Sequence, residues 1–318
     1  MPPLRIVMLG TGDFAVPTFE RLCSSSYGIV GLITQPDRPQ GRKQELIPSR
    51  IKQAAVERGV PLFQPEDVNA AESLAFLRTW QPDLLVTAAY GQILSADLLA
   101  VPPLGGINLH GSILPAYRGA APVARAIQNG ERETGVTVIR MTPRIDAGGI
   151  IAIARTPIDP NETAGELEDR LATLGAPLIE EAVGQVVAGT ARVLPQDRSK
   201  VTRAPKLRKE DGQIDWSKPA QAVHNLVRAM QPWPTAFTVW HPREVGKSPI
   251  RLIVHKTEPV DGQGTPGCVI EAEGNRVVVA AGEGAVRVLT VQLPGKKSMP
   301  VAEFLRGHHA WPGDRMGE

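Results

Sequence analysis

Leu4-Arg5-Ile6-Val7-Met8-Leu9-Gly10-Thr11-Gly12-Asp13-Phe14-Ala15 is the stretch on which the fold turns. Apart from Arg5, residues 4–9 are apolar with no clear alternation, as a strand buried on both faces of a parallel sheet should be. The glycines then turn the chain, a helical segment runs to about residue 25, and residues 29–34 make the next strand. Strand, helix, strand is the start of a βαβ unit. Gly10, Gly12 and Ala15 also fit the dinucleotide pattern G-x-G-x-x-G/A, with Asp37 beyond the second strand. Two readings follow: a nicotinamide-binding turn, or a tight strand-to-helix turn that needs small residues. Gln35-Pro36 breaks the chain before Asp37, so the acid does not sit at the strand tip, which favours the second.

The alternation continues outward from this unit. Helices are expected at 50–58, 70–79, 93–99 and 117–130, with strands at 61–64, 83–88, 106–110, 135–140 and 150–156. Between 162 and 188, Leu167, Leu171, Leu174, Leu178, Ala182 and Val186 recur at helical spacing. The expectation is an α/β domain over residues 1–189 with a Rossmann-like, mostly parallel sheet. Residues 190–209 carry prolines and many cations without periodicity and read as a linker. From 210 to 318 a helix at 221–230 is followed by short β-rich runs at 236–240, 250–256, 267–271, 276–280 and 285–293. These predict a small C-terminal β-barrel of the oligonucleotide-binding (OB-like) type.

Bulk composition narrows the function classes. The 318 residues are 42% hydrophobic and 21% charged, as in a soluble globular protein. No apolar run reaches the ~18 residues of a membrane span, and no signal-peptide pattern follows Met1. Cys23 and Cys268 form no framework, so reduced thiols in the cytoplasm are expected. Residues 1–200 carry 19 Lys/Arg against 21 Asp/Glu, whereas residues 201–318 carry 16 against 12. A basic second half suits a polyanionic partner, and equally an ordinary solvated surface. The long polar loop 37–49, with Arg38, Arg42 and Lys43, is a candidate for touching phosphates.

The chemistry concentrates around Asn108, His110 and Asp146. On a strand over 106–110, Asn108 and His110 share a face, because side chains alternate with period 2. Asp146 precedes Gly148-Gly149 in the loop after the next strand. An amide and a protonated imidazole can donate hydrogen bonds to the oxygen of a tetrahedral intermediate. A carboxylate can take the proton of an attacking amine, directly or through water. The three suit acyl transfer to an amine without a covalent nucleophile. Taken singly, each has a plainer use: Asn108 and Asp146 as turn residues, His110 as a buried histidine. Ser112 is not in a G-x-S-x-G elbow, which argues against a Ser-His-Asp hydrolase. The six histidines have no H-x-x-x-H or paired-cysteine spacing, so no metal is expected.

Asn108-Leu109-His110-Gly111-Ser112-Ile113-Leu114-Pro115, Arg118-Gly119-Ala120-Ala121-Pro122, Thr134-Gly135-Val136-Thr137 and Asp146-Ala147-Gly148 resemble the signature of the 10-formyltetrahydrofolate-dependent formyltransferases. Thr34-Gln35-Pro36-Asp37-Arg38-Pro39, Ala89-Tyr90-Gly91, Ile214-Asp215-Trp216, Pro232-Trp233-Pro234 and Gly295-Lys296-Lys297 extend the resemblance over nearly the whole chain. They point to the branch that formylates initiator methionyl-tRNA. The resemblance implies Asn108, His110 and Asp146 as catalytic residues and 10-formyltetrahydrofolate as formyl donor. It implies folate contacts at Ser112, Ile113, Leu114 and Pro115 and at the backbone of Ala88, Ala89 and Tyr90. It implies tRNA contacts from Arg38, Arg42 and Lys43 and from Lys206, Lys296 and Lys297, with no metal, no membrane and a monomer in the cytoplasm. Three positions depart from the family pattern: Ser-Ile-Leu-Pro stands for the usual Ser-Leu-Leu-Pro, Gly12 stands for Pro, and the loop at 41–45 is less basic. The rivals are a formyltransferase acting on a sugar-nucleotide or ribonucleotide amine, a nicotinamide dehydrogenase, and a non-catalytic RNA-binding protein.

Overall fold

The structure, a computed structural model, describes residues 4–40, 45–244, 246–274 and 276–317. The chain forms two compact units. The first comprises Met1–Pro122, Glu133–Pro157 and Leu167–Pro205, and the second Val123–Arg132, Ile158–Glu166 and Lys206–Glu318.

The first unit is built on a seven-stranded sheet. Its order is Ile150–Pro157, Glu133–Arg140, Gly106–His110, Leu84–Ala88, Arg5–Gly10, Gly28–Ile33, Leu62–Phe63. Strands from Gly106–His110 to Leu62–Phe63 pair in parallel. Ile6, Val7, Met8 and Leu9 are completely buried, which explains the unbroken apolar run; each such side chain stabilises the fold by about 1.5–3 kcal/mol. Gly31 is required by packing, since a Cβ there would lie 2.4–2.6 Å from ring carbons of Trp80. Chain order reverses between Arg5–Gly10 and Leu84–Ala88. At such a switch point the crevice beyond the strand C-termini is where open α/β sheets bind ligands.

Two features differ from the sequence expectation. The strand Glu133–Arg140 runs antiparallel to both its neighbours; its pairing with Ile150–Pro157 is a hairpin, because the connection 141–149 is too short for the crossover a parallel pair needs. The helix expected from 117 begins only at Pro122 and ends at Gln128. Arg118–Gly119 instead pairs in parallel with Arg203–Ala204 of the basic segment.

The second unit is an antiparallel barrel ordered Val269–Glu273, Arg276–Ala280, Ala285–Gln292, Ile250–Val260, Ala236–His241, Arg315–Met316. A bridge between Cys268 and Arg315 joins its two ends, through Val269 N to Asp314 O at 2.8 Å and Met316 N to Gly267 O at 2.6 Å. The fully buried Asp314 carboxylate accepts from Trp240 Nε1 at 3.0 Å, Trp311 N at 3.0 Å and Arg243 N at 2.8 Å. Helix Ala220–Ala229 packs against Ile250–Val260.

Candidate active site

Asn108 and His110 sit on the strand Gly106–His110 and Asp146 on the loop 141–149, all in the first unit. Register places Thr87 directly beside Asn108, and the Thr87 hydroxyl donates to Asn108 Oδ1 at 2.6 Å. In this orientation the amide N–H₂ is the group left to offer to a ligand.

His110 is buried, and its two nitrogens have different duties. Nε2 lies 2.9 Å from the carbonyl of Tyr117. A carbonyl only accepts, so Nε2 carries the proton, and Nδ1 is the nitrogen that faces Asp146. Nδ1 and Asp146 Oδ2 are 3.6 Å apart, with the two side chains 7% and 15% exposed. That separation exceeds a direct hydrogen bond. Nδ1 is therefore not tied to the carboxylate and faces it across a gap. Asp146 Oδ2 is itself held by Gly119 N–H at 2.9 Å.

Among the described residues, the non-glycine residues at positive φ are Gln81, Ala89, Tyr117, Asp146 and Thr235. Three of them, Ala89 at 46°, Tyr117 at 62° and Asp146 at 48°, belong to this site. Such backbone costs about 1–3 kcal/mol at each position and persists where surrounding bonds over-determine it. Here the bonds are visible. Thr11 N and Gly12 N donate to Ala89 O at 3.2 and 3.3 Å, and Tyr117 N donates to Thr202 Oγ1 at 2.8 Å. Gln196 Nε2 donates to Asp146 O at 2.8 Å and Gly148 O at 2.7 Å.

The loop of Ser112, Ile113, Leu114 and Pro115 follows His110 directly. The Thr137 hydroxyl donates to Ser112 O at 2.6 Å, and Leu114 N donates back to that hydroxyl at 3.1 Å. Ser112 Oγ donates to Ala116 O at 2.7 Å, so its hydroxyl serves the loop, as expected for a residue that is not a nucleophile. Ala88, Ala89 and Tyr90 end the strand Leu84–Ala88 beside the switch point. The Tyr90 hydroxyl is buried without a hydrogen-bond partner, and burial pushes its pKa up.

The glycine-rich turn is a tight turn and not a phosphate cradle. Its amides at Thr11 and Gly12 bind the Ala89 carbonyl, and a Cβ at Gly10 would lie 2.7 Å from that of Ala15. Asp37, which would have to hold a ribose, is bonded to Lys52 Nζ at 2.5 Å and Gln64 Nε2 at 3.2 Å. The Lys52 bond holds its carboxyl below the usual range.

The cations expected to touch RNA are distributed. Arg38 pairs with Glu66 at 2.5 Å on the surface; Arg42 and Lys43 lie outside the described residues. Lys206, Lys296 and Lys297 are exposed on the second unit. Among the described residues no group of three or more His, Cys, Asp or Glu could hold a metal ion, and no helix is long and apolar enough to cross a membrane. Sequence reasoning missed Thr87, Thr137, Gln196 and Thr202. Thr87 had a signal in principle, because it faces Asn108 once the two strands are paired in register; the others bond across separations that no local pattern reports.

Known proteins are similar to this chain over nearly its whole length. Residues 4–183 match the model of a family described as formyl transferase, and residues 206–309 that of the formyl transferase C-terminal domain. The chain is 43% identical over 316 residues to a methionyl-tRNA formyltransferase of Moorella thermoacetica, covering 99% of both chains. It is 41% identical over 315 residues to one of Bacillus velezensis, covering 99% of this chain and 98% of the other. In fold it is similar to an N-formyltransferase from Helicobacter canadensis solved with folinic acid and dTDP-3-aminofucose, with TM-score 0.65 at 17% identity, covering 90% of this chain and 98% of that one.

Proposed function

The chain belongs to the methionyl-tRNA formyltransferases of the formyl transferase family, and on that premise we propose how its first unit carries out the reaction. The protein formylates the amino group of methionine on initiator methionyl-tRNA, using a folate-derived donor that we take to be 10-formyltetrahydrofolate. The amine nitrogen attacks the formyl carbon, and the new C–N bond forms as the carbonyl oxygen becomes an oxyanion. The Asn108 amide and His110 Nδ1–H donate to that oxygen; loss of one such donor costs roughly 10²–10³ in rate in known acyl-transfer sites. The oxyanion then re-forms the carbonyl as the bond to the folate nitrogen breaks. Asp146 takes the proton from the attacking amine and returns it to the departing folate nitrogen as the C–N bond breaks, so the step is proton-neutral overall. The loop of Ser112, Ile113, Leu114 and Pro115 and the backbone of Ala88, Ala89 and Tyr90 hold the donor at the switch point.

One observation carries this reading: His110 is oriented by a backbone carbonyl on one side and faces a carboxylate at 3.6 Å on the other. That arrangement serves proton and oxyanion chemistry and has no use in a purely RNA-binding protein. We assign catalysis to residues 1–189, a linker to 190–209 and RNA binding to 210–318. Arg38, Arg42, Lys43, Lys206, Lys296 and Lys297 contact tRNA phosphates, as the basic excess after residue 200 and the exposure of the last three support. We infer that the protein acts in the cytoplasm, where charged initiator tRNA is consumed.

The test is a comparison of amine acceptors at fixed donor. Formyl transfer to charged initiator tRNA should exceed transfer to elongator methionyl-tRNA, free methionine and an amino-sugar nucleotide by at least about tenfold in kcat/KM. Equal or faster transfer to the amino-sugar nucleotide would replace this substrate assignment.

A further inference from the structure

We propose that Gln196 is a positioning residue for the reaction: it sets the place of the Asp146 carboxylate and does so by holding the backbone on which that carboxylate is mounted. The inference rests on the catalytic role assigned to Asp146 above.

The amide of Gln196 is fully used. Its Nε2 hydrogens go to the carbonyls of Asp146 and Gly148, at 2.8 and 2.7 Å. Its Oε1 accepts from Arg118 Nε at 3.1 Å and Nη2 at 2.6 Å. The orientation is unambiguous, because carbonyls only accept and a guanidinium only donates. Register explains how a residue fifty positions away reaches the loop. Leu194 and Ile150 exchange backbone hydrogen bonds at 2.7 and 2.8 Å in an antiparallel bridge. Two residues beyond Leu194, Gln196 lies opposite Gly148, which is two residues before Ile150.

The loop needs an external hold. Asp146 has a left-handed backbone, a region sparsely populated by non-glycine residues even though Asp enters it more readily than most. Gly148 has no room for a Cβ, which would lie 1.6 Å from the Arg140 carbonyl. Arg118 and Gly119 act on Asp146 from both ends. The Arg118 guanidinium fixes Gln196, which fixes the Asp146 carbonyl, while Gly119 N–H binds the Asp146 carboxylate directly at 2.9 Å. Backbone and carboxylate are thus held by consecutive residues of one segment. Displacing a reacting group by about 1 Å can cost 10²-fold in rate with little effect on binding.

Gln196→Glu tests this with a nearly isosteric change. It keeps the acceptor for Arg118 and puts a carboxylate oxygen against two carbonyl oxygens. Single-turnover transfer to initiator methionyl-tRNA should fall about 10²-fold. Dissociation constants for tetrahydrofolate and for the tRNA should stay within about threefold, and the thermal midpoint should move little. If that variant does not fold, Arg118→Gln breaks the same link from its other end, and a loss of similar size is expected. A rate within about threefold of wild type, or a loss that appears in the dissociation constants and not in the rate, overturns the inference. Asp146→Asn in parallel separates the two claims. Wild-type transfer by Asp146→Asn refutes the site assignment itself; abolished transfer there with wild-type transfer by Gln196→Glu refutes only the role of Gln196.

Discussion

Thr87 shows how much of a site is decided one residue away from the reacting groups. Without its hydroxyl on Oδ1 at 2.6 Å, the Asn108 amide has two orientations, and in one it presents an acceptor to the oxyanion. The alternation of side chains made Asn108 and His110 legible as a pair in the sequence, and the polar island before Gly148-Gly149 at an adjoining strand end made Asp146 legible. Which imidazole nitrogen does the work was not legible, because it depends on where the Tyr117 carbonyl points. At the same scale, His224 in the second unit has a measurable consequence. Burial pushes its pKa below the ordinary imidazole range, with the Arg228 charge adding to this, while hydrogen bonds to Pro160 and Thr257 and the charge of Glu258 oppose it. The unfolded chain therefore takes up a proton near pH ~6.5 that the folded chain refuses. The contribution is fully present above that pH and is lost as pH falls through it toward the lower folded value. In His224→Gln, the decline in unfolding midpoint between about pH 7.5 and 5.5 should be shallower than in wild type; an unchanged slope would show that other groups govern acid sensitivity.

Elements were more legible than their directions. Periodicity placed most strands and helices of both units within a few residues, because buried strands and amphipathic helices write their burial into composition. It did not show that the strands Glu133–Arg140 and Ile150–Pro157 form an antiparallel hairpin, although the shortness of 141–149 contained that information. The consequence is functional, since the hairpin loop carries Asp146 back toward His110. Nor could composition show that Arg118–Gly119 is a strand paired with Arg203–Ala204, because the pairing depends on a segment far along the chain. In the second unit, the Asp314 carboxylate ties the segment before the last strand to Trp240 and Arg243, accepting three hydrogen bonds in full burial. Asp314→Ala leaves those donors unsatisfied and should lower stability by at least about 3 kcal/mol in denaturant unfolding. Asp314→Asn keeps one acceptor oxygen and should lose less. A midpoint within error of wild type for Asp314→Ala would mean that the barrel ends hold by their backbone bonds alone.

The whole molecule combines a first unit that gathers Asn108, His110 and Asp146 with a second unit whose Lys206, Lys296 and Lys297 are exposed. The first unit brings Asn108, His110 and Asp146 together on one strand and an adjoining loop. The second supplies a barrel with exposed lysines, the kind of surface on which a polyanion is held by salt-sensitive contacts. The near-neutral balance before residue 200 and the basic excess after it were legible from the start. The dinucleotide-like Gly10-Thr11-Gly12 pattern illustrates the limit of such reading. The same glycines serve a cofactor turn and a plain tight turn, and only the bonds to Ala89 distinguish them. The most direct test of the account is single-turnover formyl transfer from 10-formyltetrahydrofolate to initiator methionyl-tRNA by Asp146→Asn, with both substrates saturating. Transfer should fall by about 10³-fold or more while tetrahydrofolate and tRNA still bind within about threefold of wild type. Transfer at the wild-type rate would contradict it.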